Sequence, residues 1–170
     1  MTMKRLFNSL FSKRVRENTK VRDNVHVVLT DIVTGKTQRI TAHNIHLNHS
    51  FAVFASWYAG VNNTGQNAIL PPSQIELDAG SGTVASTDTG PFVPIPNTLT
   101  SISYVQANSP VSGTTTLVFQ IPAGTVTTEV TGAFLRDISG NGFAHTLFAT
   151  PFTPSSTQNI TIVWENTFSS

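Results

Sequence analysis

Two carboxylates in the middle of the chain have a spacing that suits acid–base chemistry. Glu76 and Asp78 stand two residues apart in "QIELDAG", so in a strand both side chains lie on one face. Paired carboxylates of this kind cleave glycosidic bonds. A hydrolase would also need clustered aromatic residues and further carboxylates, whereas residues 40–170 carry only six acidic side chains, spread along their length. We therefore interpret both as solvated strand residues, predict that the chain is not an enzyme, and keep a jelly-roll glycan hydrolase as the weakest alternative.

Three histidines spaced by three residues form the second candidate. On a helix His43, His46 and His49 would share a broad face and could bind zinc. They precede Ser50, which is a good N-cap, so the chain there is expected to be extended and His46 to point away from the other two. The chain contains no cysteine. We interpret the three as polar turn residues and predict no metal and no other cofactor.

Two glycine-containing segments imitate ligand loops. Asp137, Ser139 and Asn141 match the first half of a calcium loop, but no glutamate follows to complete it, and a hairpin turn explains the same residues. The segment 79–83, "AGSGT", could cradle a phosphate only if a lysine and a helix followed, and neither does. The first segment is therefore predicted to be a turn, and the second is not expected to bind phosphate.

The positive charge of the chain is concentrated at its amino end. Residues 1–39 hold nine basic and three acidic side chains, and residues 40–170 hold one basic and six acidic. Apolar residues with helical spacing are interleaved with the first cations, which a purely solvated tail would not favour. An arm of this kind could lie on an acidic protein surface, on anionic lipid or on nucleic acid, and a mitochondrial-type presequence has a similar composition. The predicted anchoring residues are Lys4, Arg5, Leu6, Phe7, Leu10, Phe11, Lys13, Arg14, Arg16, Lys20 and Arg22.

The elements behind these candidates are mostly strands. Residues 25–42 read as a hairpin around Gly35, residues 50–60 as a short helix, and residues 81–97 as an irregular segment kept out of a central ladder by its prolines. Short β-rich runs separated by turn residues follow to the end, and Trp57, Tyr58 and Trp164 are assigned to the core. We predict an all-β fold, an antiparallel β-sandwich or jelly roll with one short helix, in which residues 1–24 form a basic amphipathic arm and residues 25–170 the body.

The order of several segments resembles small jelly-roll structural proteins of tailed bacteriophage virions, which decorate heads or build necks and tail tips. The likeness runs through "LTDIVTGKTQRITAHN", "IELDAGSGTVASTDTG", "FQIPAGTVTTEVTGAFLRD" and "NITIVWENTF". Those proteins share a G-x-G-T turn, a T-E-x-G-L-F-like strand and a final I-x-W-x-x-x-F strand. Here "TEVTGAFLRD" is one residue longer than the second pattern, which allows a bulge or a shifted register.

This resemblance implies a structural role in a virion. The expected function is capsid decoration or cementing, with the arm anchoring the body to the shell; a neck or tail-tip protein that binds a receptor or glycan is the alternative. The implied partners are the phage major capsid protein or other virion proteins, and further copies of the chain in a homotrimer. The expected location is the particle surface after synthesis in the host cytoplasm, with no membrane and no specific nucleic acid as partner.

Overall fold

The fold is a sandwich of two antiparallel β-sheets, as predicted. The computed structural model describes residues 20–42, 45–47, 50, 70–107 and 113–169. Within these residues there are ten strands and no helical element. Apart from Ser50, the predicted helix over residues 50–60 lies outside the described residues, as do residues 1–19 of the predicted arm. The strands are β1 (Lys20–Asp31), β2 (Thr37–Ala42), β3 (Ile45–His46), β4 (Gln74–Asp78), β5 (Thr100–Ser101), β6 (Tyr104–Ala107), β7 (Thr114–Ile121), β8 (Val130–Arg136), β9 (Gly142–Phe152) and β10 (Gln158–Ser169).

Each sheet has five strands. Sheet A has the order β2-β1-β10-β7-β6, and sheet B has the order β3-β9-β8-β4-β5. Every pair of neighbouring strands is antiparallel. The register of β8 against β9 shifts between Val130 and Gly132, so the irregularity that the long "TEVTGAFLRD" segment allowed is present.

The core lies between the sheets, because alternate residues of the strands are apolar. In β1 the buried residues are Val25, Val27 and Leu29, and in β10 they are Ile160, Ile162 and Trp164. Such alternation places one apolar face of each strand against the opposite sheet. The predicted core position of Trp164 is confirmed, since its side chain is fully buried; Trp57 and Tyr58 lie outside the described residues.

The sheet begins earlier than the sequence predicted. Residues 20–24, interpreted as the polar end of the arm, are the first residues of β1 and pair with β10 from Lys20 opposite Ser169 onwards. Their mostly polar composition hid them, since pairing with β10 on one side supplies backbone hydrogen bonds whatever the side chains are. Lys20 and Arg22 therefore belong to a strand.

Sheet B is covered on both of its faces. Its outer face, turned away from sheet A, carries His145 and Asp78, which are both fully buried. A long connection, residues 79–97, returns across this face, and we call it the strap. It was predicted to be irregular, and within it only an isolated bridge from Pro94 to Asp78 is found. The strap thus covers the outer face of sheet B and buries polar residues there.

Candidate functional site

The first candidate pair is only partly where the sequence placed it. Glu76 and Asp78 lie on the same face of β4, as predicted. The prediction that both are solvated is wrong for Asp78, which has no exposed surface. Glu76 lies 3.4 Å from the guanidinium of Arg136, and both side chains are mostly buried. The strap, which the sequence did not place over β4, is the physical reason for this difference.

Asp78 is held by hydrogen bonds from the backbone of the strap. Its Oδ1 accepts from the N–H of Gly80 at 2.7 Å and of Val93 at 2.8 Å, and its Oδ2 accepts from the N–H of Phe92 at 2.8 Å. Three backbone donors converging on one carboxylate stabilise its ionised form. Asp78 therefore joins the two ends of the strap to the end of β4.

His145 lies between two carboxylates. Its Nε2 is 3.1 Å from Oδ2 of Asp78, and its Nδ1 is 2.8 Å from Oδ2 of Asp88 in the strap. The side chains of His145 and Asp78 are fully buried, and that of Asp88 is 14% exposed. We call Asp78, His145 and Asp88 the clasp, because together they connect β4, β9 and the middle of the strap.

Hydrogen bonding fixes how many protons the clasp holds. A neutral imidazole donates from only one nitrogen, whereas both nitrogens here face a carboxylate oxygen. Both contacts become hydrogen bonds only if His145 carries two protons, or if one carboxyl is protonated beside a neutral ring. In either form, one proton lies between Nε2 of His145 and Asp78, and a second lies between Nδ1 and Asp88.

Charge decides between these forms. Burial lowers the pKa of His145, but its hydrogen bonds to Asp78 and Asp88 and the charge of both carboxylates outweigh burial and raise it. Burial raises the pKa of Asp78, but the hydrogen bond from His145 and those from the backbone N–H groups of Val93, Gly80 and Phe92 outweigh it and keep that pKa below its ordinary value. Both directions favour the form with an imidazolium at His145 and a carboxylate at Asp78.

Aromatic rings enclose the imidazole. The ring of Phe92, from the strap, is 4.8 Å from that of His145, and the ring of Phe134, from β8, is 5.4 Å away. Gly132 allows β9 to approach β8 closely here, since a Cβ on it would stand 2.4 Å from the carbonyl oxygen of Thr146. The rings keep water away from the clasp and strengthen its electrostatic contacts.

The chemistry available to the clasp is proton storage and attachment of the strap. Both nitrogens of His145 are occupied and the ring has no exposed surface, so it is not placed to take a proton from a substrate. A cavity of about 390 Å³ lies next to it, between strap residues 86–89 on one side and Leu47 and the turn residues 140–142 on the other. Asp88 is the residue that belongs to both the clasp and the cavity wall.

The predicted histidine trio is described only in part. Nδ1 of His46, in β3, is 3.2 Å from Oγ of Ser50, and that hydroxyl donates to the carbonyl of Leu47. His43 and His49 lie outside the described residues. Among the described residues no three histidine or carboxylate side chains are grouped as a metal ion would require.

The two glycine-containing segments have structural partners. Asp137 Oδ1 accepts from the N–H groups of Ser139 and Asn141, and Oδ2 accepts from the amide of Asn141. These bonds are those of a turn stabilised by its own aspartate, as predicted. A Cβ on Gly80 would stand 2.4 Å from Cβ of Phe92, so this glycine allows the two ends of the strap to approach each other closely.

Sequence reasoning missed His145 and Asp88. The available signal was a histidine inside "GFAHTLF", an otherwise apolar stretch of β9 whose residues 142–146 are all buried. A run without alternation indicates a strand covered on both faces. A titratable side chain in such a run needs a buried partner, and the acidic residues elsewhere in the body were the candidates.

The remaining predicted site residues belong to the arm, and those from Lys4 to Arg16 lie outside the described residues. No helix among the described residues is long and apolar enough to cross a lipid bilayer. No family model, curated protein or solved structure matches the chain.

Proposed function

We propose that the chain is a structural protein of a bacteriophage virion, which decorates the capsid and is attached to it by its basic amino-terminal arm. The charge distribution supports this: the first 39 residues hold nine of the ten cations, and the rest of the chain has an excess of five negative charges. One end therefore suits acidic surfaces of a shell protein, while the rest of the chain carries a net negative charge. The proposed partners are the major capsid protein and two further copies of the chain.

The observation that carries the proposal is the way in which the arm enters the body. β1 starts at Lys20 and pairs with β10 at every position up to Asp31 opposite Gln158. Backbone hydrogen bonds run perpendicular to antiparallel strands. A pull on the arm along β1 therefore loads the whole ladder in shear, so that many bonds must break together. This connection suits a tether that holds a folded body to a particle.

Attachment by many weak contacts fits the composition of the arm. An exposed ion pair contributes only about 0–1 kcal/mol, so cations alone hold one copy poorly. Burial of Leu6, Phe7, Leu10 and Phe11 would add apolar area, and a trimer would present three arms at high effective concentration. Repetition thus converts weak anchors into stable attachment.

The hydrolase alternative receives less support. Asp78 accepts three backbone hydrogen bonds and contacts His145, and Glu76 pairs with Arg136. Carboxylates engaged in this way are poorly placed to exchange protons with a substrate. The engagement of both supports a structural role over acid–base catalysis.

The test removes the arm without touching the sheet. Residues 2–19 are deleted, since a longer deletion would cut into β1, and the variant is mixed with phage shells assembled without this protein. We expect the same far-UV circular dichroism and unfolding midpoint as the full chain, with less than about a tenth of its copies per shell, because the multivalent contacts are lost. Full occupancy by the truncated chain would refute arm anchoring.

Two matched variants separate the contributions of the arm. One replaces Lys4, Arg5, Lys13, Arg14 and Arg16 by glutamine, and the other replaces Leu6, Phe7, Leu10 and Phe11 by serine. Loss of binding in both supports a mixed apolar and ionic anchor. Imaging of the decorated particles distinguishes the alternatives of location, since density on every capsomer supports decoration, whereas density at one vertex supports a neck or tail-tip role.

A further inference from the structure

The middle of the strap is held to sheet B almost entirely by polar contacts. None of residues 81–91 is buried, so this stretch gains little from apolar burial. Within the described part of the chain, its side-chain hydrogen bond to the interior is the 2.8 Å contact from Asp88 to Nδ1 of His145. The ends are fixed separately, through the Gly80, Phe92 and Val93 N–H bonds to Asp78 and through buried Ile95. The stretch between those ends thus depends on the clasp.

We propose that residues 81–91 form a lid over the outer face of sheet B, which His145 holds shut while it carries protons on both ring nitrogens and which opens when one of them is removed. This inference is independent of the proposed virion function. It concerns the isolated chain and a proton as the ligand.

Loss of the proton breaks one specific contact. The proton leaves to hydroxide or a solvent base, and the neutral ring keeps a single N–H, so one nitrogen then presents a lone pair to a carboxylate oxygen. Asp78 retains three backbone donors, whereas among the described residues Asp88 retains the N–H of Ala85, which belongs to the strap itself. Asp88 is also the member nearer to solvent. It is therefore the contact between His145 and Asp88 that is lost, and Asp88 moves into water with the lid.

The charged groups around His145 support this assignment. Asp78 faces it from β4 and Asp88 from the strap. Glu76 of β4 and Arg136 of β8 lie along the same face of sheet B and pair with each other. His46 of β3 stands opposite Ala144 and contacts Ser50. On the described elements, the charged groups that contact the imidazole directly are thus the two carboxylates of the clasp.

The sign of the pH effect follows from the directions of the shifts. The pKa of His145 is raised in the closed state, so its contribution to closure is complete below the ordinary value of about 6.5 and is lost as pH rises through the closed-state value. The pKa of Asp78 is lowered, so its contribution is complete above about 3.9 and is lost as pH falls. Closure is therefore greatest between these limits.

Opening would change one face of the molecule. Residues 81–91 would leave the face that Phe134 and His145 share, while Phe92 keeps its hydrogen bond to Asp78. Residues 86–89 would also leave their side of the 390 Å³ cavity. The lid therefore links the protonation of one histidine to the exposure of the face that Phe134 and His145 share.

The experiment follows the full chain, labelled with ¹⁵N, by NMR from pH 4.5 to 10. Below the transition we expect both ring N–H groups of His145 to be visible, with nuclear Overhauser contacts between its ring and the side chain of Asp88. The amide of Asp88, which lies inside the lid and donates to the carbonyl of Ala85, reports opening: between about pH 6.5 and the closed-state pKa of His145 its protection factor should fall by up to about tenfold per pH unit. Amides of β10 should keep constant protection factors.

Variants make the result specific. In His145→Gln the protection of the Asp88 amide should be low and independent of pH over this range. In Asp88→Asn, which keeps the contact of His145 with Asp78, the histidine should titrate at lower pH and the lid should open at that lower pH. His26→Gln, a histidine paired with Glu165 on sheet A, is the matched control and should behave as the unchanged chain. Protection of the residue 88 amide that does not change while His145 titrates, or that changes equally in His145→Gln, would overturn the proposal. If His145→Gln does not fold, Asp88→Asn alone decides, since an unchanged opening midpoint in that variant contradicts the proposal.

Discussion

Sheets A and B each have five strands in the described part of the chain, but they differ in how many of their faces are buried. Sheet A buries one face: in β7 the residues Leu117, Phe119 and Ile121 are buried and their neighbours are partly exposed. Sheet B buries both faces, so β8 is buried at five of seven positions and β9 at residues 142–146 without interruption. The first arrangement needs only alternation of apolar and polar residues, whereas the second must also pair each polar group on its covered face.

The difference explains where the polar interior of the protein lies. On sheet A the pair of His26 and Glu165 is partly exposed and partly screened by water. On sheet B the pair of His145 and Asp78 has no exposed surface. A buried pair is costly to break because removal of one member leaves a charge unpaired. Sheet B should therefore respond strongly to single substitutions that sheet A tolerates.

The largest effect is expected from Asp78→Ala. It removes the acceptor of three backbone N–H groups and one carboxylate of the clasp. We expect the free energy of unfolding to fall by about 3–5 kcal/mol, measured by urea denaturation. Glu129→Ala, at an exposed carboxylate, is the control and should change it little. Equal effects of the two would show that the covered face of sheet B contributes no more than the surface.

A smaller effect is expected from Gly132→Ala. The added Cβ would stand 2.4 Å from the carbonyl oxygen of Thr146 and 2.8 Å from Cδ2 of Leu147. Backbone must move to admit it, which should cost about 1–3 kcal/mol in the same denaturation assay. Gly90→Ala has open space around the new Cβ and should be neutral or slightly stabilising. If the two alanine variants were equally stable, the close approach of β8 and β9 would not be needed.

The turn between β1 and β2 gives a pH-dependent test on sheet A. A hydrogen bond from Thr157 and further bonds from Thr34 and Val33 lower the pKa of Asp31 to about 2. Its contribution to stability is present above the unfolded value of about 3.9 and is lost as pH falls towards 2. The unfolding temperature of Asp31→Asn should therefore be lower than that of the unchanged chain at pH 6, with the difference shrinking below pH 4. A difference that stays constant down to pH 2 would contradict this assignment.

The smallest effect is expected from Glu165→Gln. Glu165 lies 3.3 Å from Nε2 of His26, with a side chain that is 36% exposed. An ion pair of this kind contributes about 0–1 kcal/mol and is weakened by salt. Denaturation at low and high ionic strength should show a small loss that disappears in salt. A loss as large as that of Asp78→Ala would remove the contrast between the two sheets.

Sequence reasoning predicted sheet A well and sheet B only in outline. The alternation in "VHVVLTD" and "ITIVWEN" fixed both the strands and their buried faces, including Trp164. The run "GFAHTLF" predicted a strand but not which residues it would meet, because the contact of His145 with Asp88 spans 57 positions. The start of β1 was missed for the opposite reason: residues 20–24 are polar, and their place is set by pairing with β10. Local alternation of apolar and polar residues shows which face of a strand is buried. Which distant residues a strand meets depends on the topology of the whole fold.

The end-to-end ladder of β1 and β10 has a topological consequence. Lys20 stands opposite Ser169, and two or three residues would be enough to join them as a hairpin. New ends could then be opened at Gly35, in an exposed turn, without removing a strand from either sheet. Such a circular permutant would place the free amino end at the opposite end of β1. An arm attached there would hold the body on a surface in the reverse orientation.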